Sequence, residues 1–224
     1  MIESVFMAIV SHRLRIVFFP MPKNCSSSVK SAFYKFETGM TYRRAKKKFG
    51  LTGNVHSCYR VPNHEKWKGI YDSYDTVTFV REPIKRFLSA YSNRVVHVRA
   101  LEKFGTSPEE ISEAGYPVRP TLEEFAEHLE YYCSVSSHVR KHVNPQEKII
   151  GDIFPKIKHV FDTSQIPEFE KLVTERDGRP FSLPHNQTGG KKYKFSDLSD
   201  GAMEKLTKFY AADYKMLSSI YQKP

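Results

Sequence analysis

Cysteine is scarce: Cys25, Cys58 and Cys133 are the only three in 224 residues, with no C-x-x-C pair. So sparse and odd a set excludes a disulfide scaffold or a structural zinc site and points to a reducing compartment, so a cytoplasmic location is expected. Long apolar runs are missing too. No stretch approaches the roughly 20 apolar residues of a membrane span. The N-terminal MIESVFMAIVSHRLRIVFF is interrupted by Glu3, His12, Arg13 and Arg15, and it lacks the basic start and apolar core of a signal peptide. Internal repeats and low-complexity tracts are absent. Acidic residues are the minority charge: 25 against 35 Lys and Arg, a net +10. That excess points to an anionic partner, without choosing among phosphate, sulfate, acidic glycan, nucleic acid and a membrane surface. What is present suffices for a core. Hydrophobic residues make up 40% and aromatics 13%, which argues against global disorder, and a single domain over residues 1–224 is expected.

The pattern along the chain alternates strand and helix. Residues 15–19 (RIVFF) read as a buried strand ending at Pro20. A small, polar loop follows, then a helix with Val29, Phe33 and Phe36 on one face. Residues 75–80 (DTVTFV) repeat the pattern, with Pro83 at the first turn of a helix that carries Ile84, Phe87, Leu88, Tyr91 and Val95. Residues 158–161 (KHVF) read as a third strand, with a helix near 167–176. Thr121 and Glu124 form a capping box for a helix to about Cys133, and a last amphipathic helix spans about 201–221. Residues 104–120 read as an irregular excursion, and residues 41–73 carry no clear element. Strands alternating with helices predict an α/β, three-layer fold with a central parallel sheet, its ligand at the strand C-terminal ends.

Two constellations carry chemistry. Pro22-Lys23-Asn24-Cys25-Ser26-Ser27-Ser28 follows the first strand. Small residues let a chain curl around an anion, serines donate hydrogen bonds, and Lys23 adds a compact charge. It is not a Walker A loop, because the glycines and the late lysine are missing. The bland alternative is a solvated serine-rich turn. The second is Phe79-Val80-Arg81-Glu82-Pro83-Ile84-Lys85-Arg86-Phe87-Leu88-Ser89-Ala90-Tyr91. Arg81 sits where strand meets helix, suited to a bidentate phosphate contact, and Ser89 lies about two turns on. Alone, this segment reads as a surface ion pair and a helix-face serine.

Together the two resemble the sulfotransferase superfamily, in its carbohydrate sulfotransferase-like (family 2) branch. FFPMPKNCSSSVKSAF is similar to the 5′-phosphosulfate loop, and TFVREPIKRFLSAYSNR to the 3′-phosphate motif. The likeness continues through His142-Val143-Asn144-Pro145-Gln146, Pro184-His185-Asn186 and Tyr210-Ala211-Ala212-Asp213-Tyr214. The resemblance implies a P-loop-like fold, the donor 3′-phosphoadenosine-5′-phosphosulfate (PAPS), the product 3′,5′-phosphoadenosine (PAP), no metal, and direct transfer to a hydroxyl. By position it implies that Lys23, Asn24, Cys25, Ser26, Ser27 and Ser28 hold the 5′-phosphosulfate, and Arg81 and Ser89 the 3′-phosphate. Asn24-Cys25 departs from the family's Thr/Val-Gly/Ala pair. Cys25 reads as a small loop filler rather than a nucleophile. The family also includes Golgi-lumenal enzymes, so a trimmed lumenal domain stays open beside the cytoplasmic expectation.

A proton acceptor is also required, within hydrogen-bond reach of the acceptor hydroxyl. His56 lies between the two motifs, where enzymes of the uronyl 2-O type resemble it in placing a histidine. His142 is the second candidate; His138 and His185 follow. Each of the four also reads as an ordinary structural or surface histidine. The run Arg43, Arg44, Lys46, Lys47, Lys48 reads either as a solvated helix face or as a rim for an acidic or hydroxylated glycan, with Arg43, Arg44 and Lys47 as its contacts. Gly189-Gly190-Lys191-Lys192 with Lys194 reads as a nucleotide-covering loop or as an exposed turn. A P-loop-like kinase, a polyanion- or RNA-binding module and a family member without catalysis remain as alternatives. Nucleic acid is not the expected partner, and the oligomeric state is not legible.

Overall fold

The computed structural model describes residues 8–59, 73–184 and 189–224. In chain order it runs β1 (Ile9–Ser11), β2 (Ile16–Phe19), α1 (Ser26–Thr38), α2 (Tyr42–Phe49), a 3₁₀ turn (Val55–Tyr59), β3 (Asp75–Val80) and α3 (Pro83–Ala90). A π-helical turn (Tyr91–His97) follows directly, then α4 (Pro108–Glu113), α5 (Leu122–Glu127), α6 (Leu129–Val135), α7 (Ser137–Val143) and α8 (Glu147–Ile150). β4 (His159–Asp162), α9 (Ile166–Asp177), α10 (Asp200–Phe209) and α11 (Ala211–Met216) complete it. The fold is α/β, as expected. The sheet order is β1-β2-β3-β4, with β2, β3 and β4 parallel and β1 antiparallel to β2. No helix among the described residues is long and apolar enough to cross a membrane.

The chain forms two compact units, Met1–Val80 with Ile149–Asn186, and Arg81–Lys148 with Gln187–Pro224. In the first, alternate residues Ile16 and Phe18 of β2 and Val77 and Phe79 of β3 join Val29 and Phe33 of α1 and Phe169 and Val173 of α9 in one buried cluster. Its centre is aromatic: Phe18 lies 6.2–6.4 Å from Phe33, Phe79 and Phe169. The second unit packs Ile84, Phe87, Leu88 and Tyr91 with Phe125, Leu129, Tyr132, Leu206 and Tyr210. Phe87 stacks on Phe125 at 5.5 Å.

Several expected elements come out differently. The helix expected from Thr121 to Cys133 keeps its capping box, but it breaks at His128 into α5 and α6. The terminal helix breaks at Tyr210, whose buried hydroxyl donates to the Val143 carbonyl at 2.7 Å, and regular helix ends at Met216. The excursion at 104–120 contains α4. Ser107 caps it, Pro108 opens it, and Glu109 and Glu110 complement its first turn, so its start signals stood in the sequence. β1 is three residues long, too short for any periodicity to show. The stretch 41–73 holds α2 and the 3₁₀ turn among its described residues.

Candidate functional site

In the first unit, the chain leaves β2 at Phe19 and turns back into α1 over residues 20–25. Lys23 (φ 70°) and Cys25 (φ 56°) both take the left-handed conformation, which is uncommon for residues other than glycine. Cys25 is the N-cap of α1, and its carbonyl receives the first intrahelical bond, from Val29 at 3.0 Å. The N–H groups of Ser26, Ser27 and Ser28 therefore precede the helical ladder and point out of its positive end. No acidic residue stands in that first turn, and all three serines are half-buried. The left-handed Cys25 explains why a glycine suits this position. Cys25→Val should lower the unfolding free energy by about 1–2 kcal/mol, because a β-branched side chain resists positive φ. Cys25→Gly should hold or raise it. A shifted denaturant midpoint at constant slope reads both; an unshifted valine variant would show that the left-handed turn is absent.

Asn24 faces the interior of the first unit. Its side chain is fully buried and donates to the Phe79 carbonyl at 3.0 Å, while its N–H turns back to Met21 at 3.3 Å. This bond pins the loop to β3. Thr78 reinforces the same junction, donating to the Phe19 carbonyl at 2.8 Å.

His56 comes directly beside the loop. Its Nε2 is 3.1 Å from Ser27 Oγ and its Nδ1 is 3.1 Å from Lys30 Nζ. Lys30, only 2% exposed, is a residue that sequence reading missed. One signal was available: Val29, Lys30 and Phe33 fall on one arc of α1, and its two apolar members are core. α2 is a cationic surface. Arg43, Arg44 and Lys47 are exposed, only Ala45 is buried, Lys48 lies over the exposed Phe49 ring, and Lys46 donates to the Gly53 carbonyl at 2.7 Å.

In the second unit, Arg81 has its backbone held from both sides. Its N–H donates to Gln146 Oε1 at 3.2 Å, and its carbonyl accepts from Gln146 Nε2 at 2.8 Å. Gln146 is fully buried, beside Asp213, which also accepts the Glu147 N–H at 2.8 Å. Burial raises the Asp213 carboxyl above its ordinary range, against the opposing pull of Arg86. Glu82 caps α3 through Ile84 and Lys85 and accepts the Tyr214 hydroxyl. Arg86 is fully buried and donates to the carbonyls of His142, Val143 and Asn144. The blocks 142–146 and 210–214 are thus the supports of residues 81–86. Ser89 is half-buried near the end of α3. Just beyond it, Ser92 donates to the Lys191 carbonyl, and Gly190 (φ 97°) lies so close that an added Cβ would meet the Ser92 carbonyl oxygen at 2.9 Å.

The histidines differ in their hydrogen bonding. His142 Nδ1 is 2.8 Å from the His138 carbonyl, an acceptor only, so Nδ1 carries a proton and, in the neutral ring, Nε2 holds the lone pair. That is the tautomer of a base. His138 stacks on Phe104 at 4.2 Å, and burial, with Arg94 and Lys141, holds its imidazole below the usual range. His185 lies outside the described residues.

Comparison with known proteins adds one finding: a model of the sulfotransferase family (family 2) matches residues 7–221, nearly the whole chain. No curated protein and no solved structure matches it significantly.

Proposed function

The chain belongs to sulfotransferase family 2, and from that premise we propose that it moves a sulfuryl group from PAPS to a hydroxyl of a carbohydrate or related acceptor. The observation that carries this reading is the left-handed turn at Lys23 and Cys25, which opens α1 on three serines with no acidic residue in its first turn. Such a donor set fits a phosphosulfate: backbone N–H groups at a helix start, three hydroxyls and one ammonium. The nucleotide supplies the sulfuryl group and a phosphate leaving group.

The protein's part is positioning and charge. Ser26, Ser27 and Ser28 hold the terminal oxygens. Lys23 neutralises the charge that collects on the bridging oxygen as its bond to sulfur breaks. His142, already set with its lone pair on Nε2, receives the acceptor's proton there while the new oxygen–sulfur bond forms. Arg81 and Ser89 take the 3′-phosphate, Arg81 with a backbone fixed by Gln146. An anionic acceptor is favoured by α2, whose Arg43, Arg44 and Lys47 stand exposed with no acid on the helix. A cytoplasmic setting, expected from the cysteine pattern, belongs to the same proposal.

The test is a binding cycle between Arg81 and the 3′-phosphate. Arg81→Ala should weaken PAP by about 10–100-fold, as expected for a charge-assisted pair, and leave adenosine 5′-phosphate, which lacks that group, unchanged. Equal loss for both nucleotides, or for neither, would remove Arg81 from the donor site.

A further inference from the structure

Resting on the donor reading above, we propose that Lys30 and His56 are positioning residues in a one-way hydrogen-bond relay, Lys30 to His56 to Ser27, that turns the Ser27 hydroxyl proton toward the anion in the loop.

A lysine ammonium has three donors and no acceptor. Lys30 Nζ, 3.1 Å from His56 Nδ1, therefore donates, and Nδ1 uses its lone pair to accept. A neutral imidazole with its lone pair on Nδ1 carries its proton on Nε2. Nε2 is 3.1 Å from Ser27 Oγ, so the ring donates and the hydroxyl accepts. With an accepting site of Ser27 filled from the His56 side, its own proton is directed away from the ring, toward the N-terminal opening of α1.

The surroundings hold this arrangement in place. Ser27 and Lys30 are three residues apart on α1 and so share a face. Lys30 is 2% exposed, which keeps the first link out of water, where each donor polarises the next more strongly. His56 is tied down by its own N–H, which donates to Asn54 Oδ1 at 3.0 Å. Gly53 (φ 78°) makes the turn before it, where an added Cβ would strike Ser57 Oγ at 2.7 Å. Taking a proton would put a second donor on the ring at Nδ1, against the ammonium. His56 is thus arranged as a donor, and His142 as an acceptor.

Two measurements on the full chain test the relay. Long-range ¹H–¹⁵N correlation on histidine-labelled protein should show His56 as the Nε2–H tautomer, and Lys30→Met should release that preference. In PAP titrations, Ser27→Ala, His56→Ala and Lys30→Met should each weaken binding by about ten-fold, the value of one charge-assisted hydrogen bond, with the double variants no weaker than the singles. His56→Gln should recover most of the loss, because the amide oxygen takes the ammonium and the amide N–H reaches Ser27. An Nδ1–H tautomer in the wild type overturns the relay. So does a His56→Gln variant that binds PAP normally but has no transferase activity, since that outcome makes His56 the base. If Lys30→Met does not fold, the tautomer and the glutamine rescue still decide. A wild-type protein that ignores PAP overturns the donor reading, and with it the relay's anionic terminus, while the tautomer separately reports the Lys30–His56–Ser27 link.

Discussion

Lys23→Ala is expected to lower kcat by about 10²–10³-fold, the usual consequence of deleting one preorganised group that meets charge developing in the transition state. Lys23 stands in a turn held rigid by the buried Asn24 at 3.0 Å from the Phe79 carbonyl and by the left-handed Cys25. The backbone N–H groups of the three serines remain in the variant, so PAP affinity should fall much less than kcat. Lys23→Arg should recover only part of the rate, because a planar guanidinium replaces a point charge in a tight turn. Steady-state kinetics at saturating donor, alongside PAP titration, separate the two quantities. A Lys23→Ala enzyme within about three-fold of wild type in kcat would show that the loop does not hold the reacting phosphosulfate.

His142→Gln carries the second large effect, a fall in kcat of about 10²–10⁴-fold for loss of a positioned general base. The glutamine keeps a polar side chain on α7 but cannot take a proton. Arg86 grips the backbone carbonyl of His142 rather than its ring, so the support of residues 142–144 is untouched by the change. PAP affinity should therefore stay within about two-fold, because only the acceptor's proton has lost its destination. A His142→Gln enzyme of normal kcat would return the base to another group. The contrast with His56 is physical: a carbonyl at Nδ1 leaves Nε2 to accept, whereas an ammonium at Nδ1 leaves Nε2 to donate.

Much of this arrangement was legible in the residues. RIVFF, DTVTFV and KHVF read as strands because short apolar runs bounded by polar or turn residues have few other uses, and they are the parallel β2, β3 and β4. The loop before α1 and the Arg81–Ser89 segment were legible because they combine small, cationic and hydroxyl residues at strand ends. What stayed hidden depends on contacts far apart in the chain. Gln146 meets Arg81 from 65 residues away, and nothing local marks a glutamine as a backbone clamp. Lys30 and Arg86 drew no reading of their own, since those residue types are seldom buried, yet each lies on a buried arc of its helix. Asn24 read as a ligand contact with the rest of its loop, and nothing local shows that its side chain also reaches inward, to a carbonyl of β3. The helix breaks at His128 and Tyr210 carry no proline or glycine, so periodicity ran straight through them.

The most direct measurement is calorimetric titration of the wild-type protein with PAP in magnesium-free buffer, with ATP and magnesium as the competing ligand. One PAP per chain, bound at micromolar concentration or tighter, together with silence toward ATP–magnesium, is the outcome the account requires. Heat from ATP–magnesium and none from PAP would contradict it.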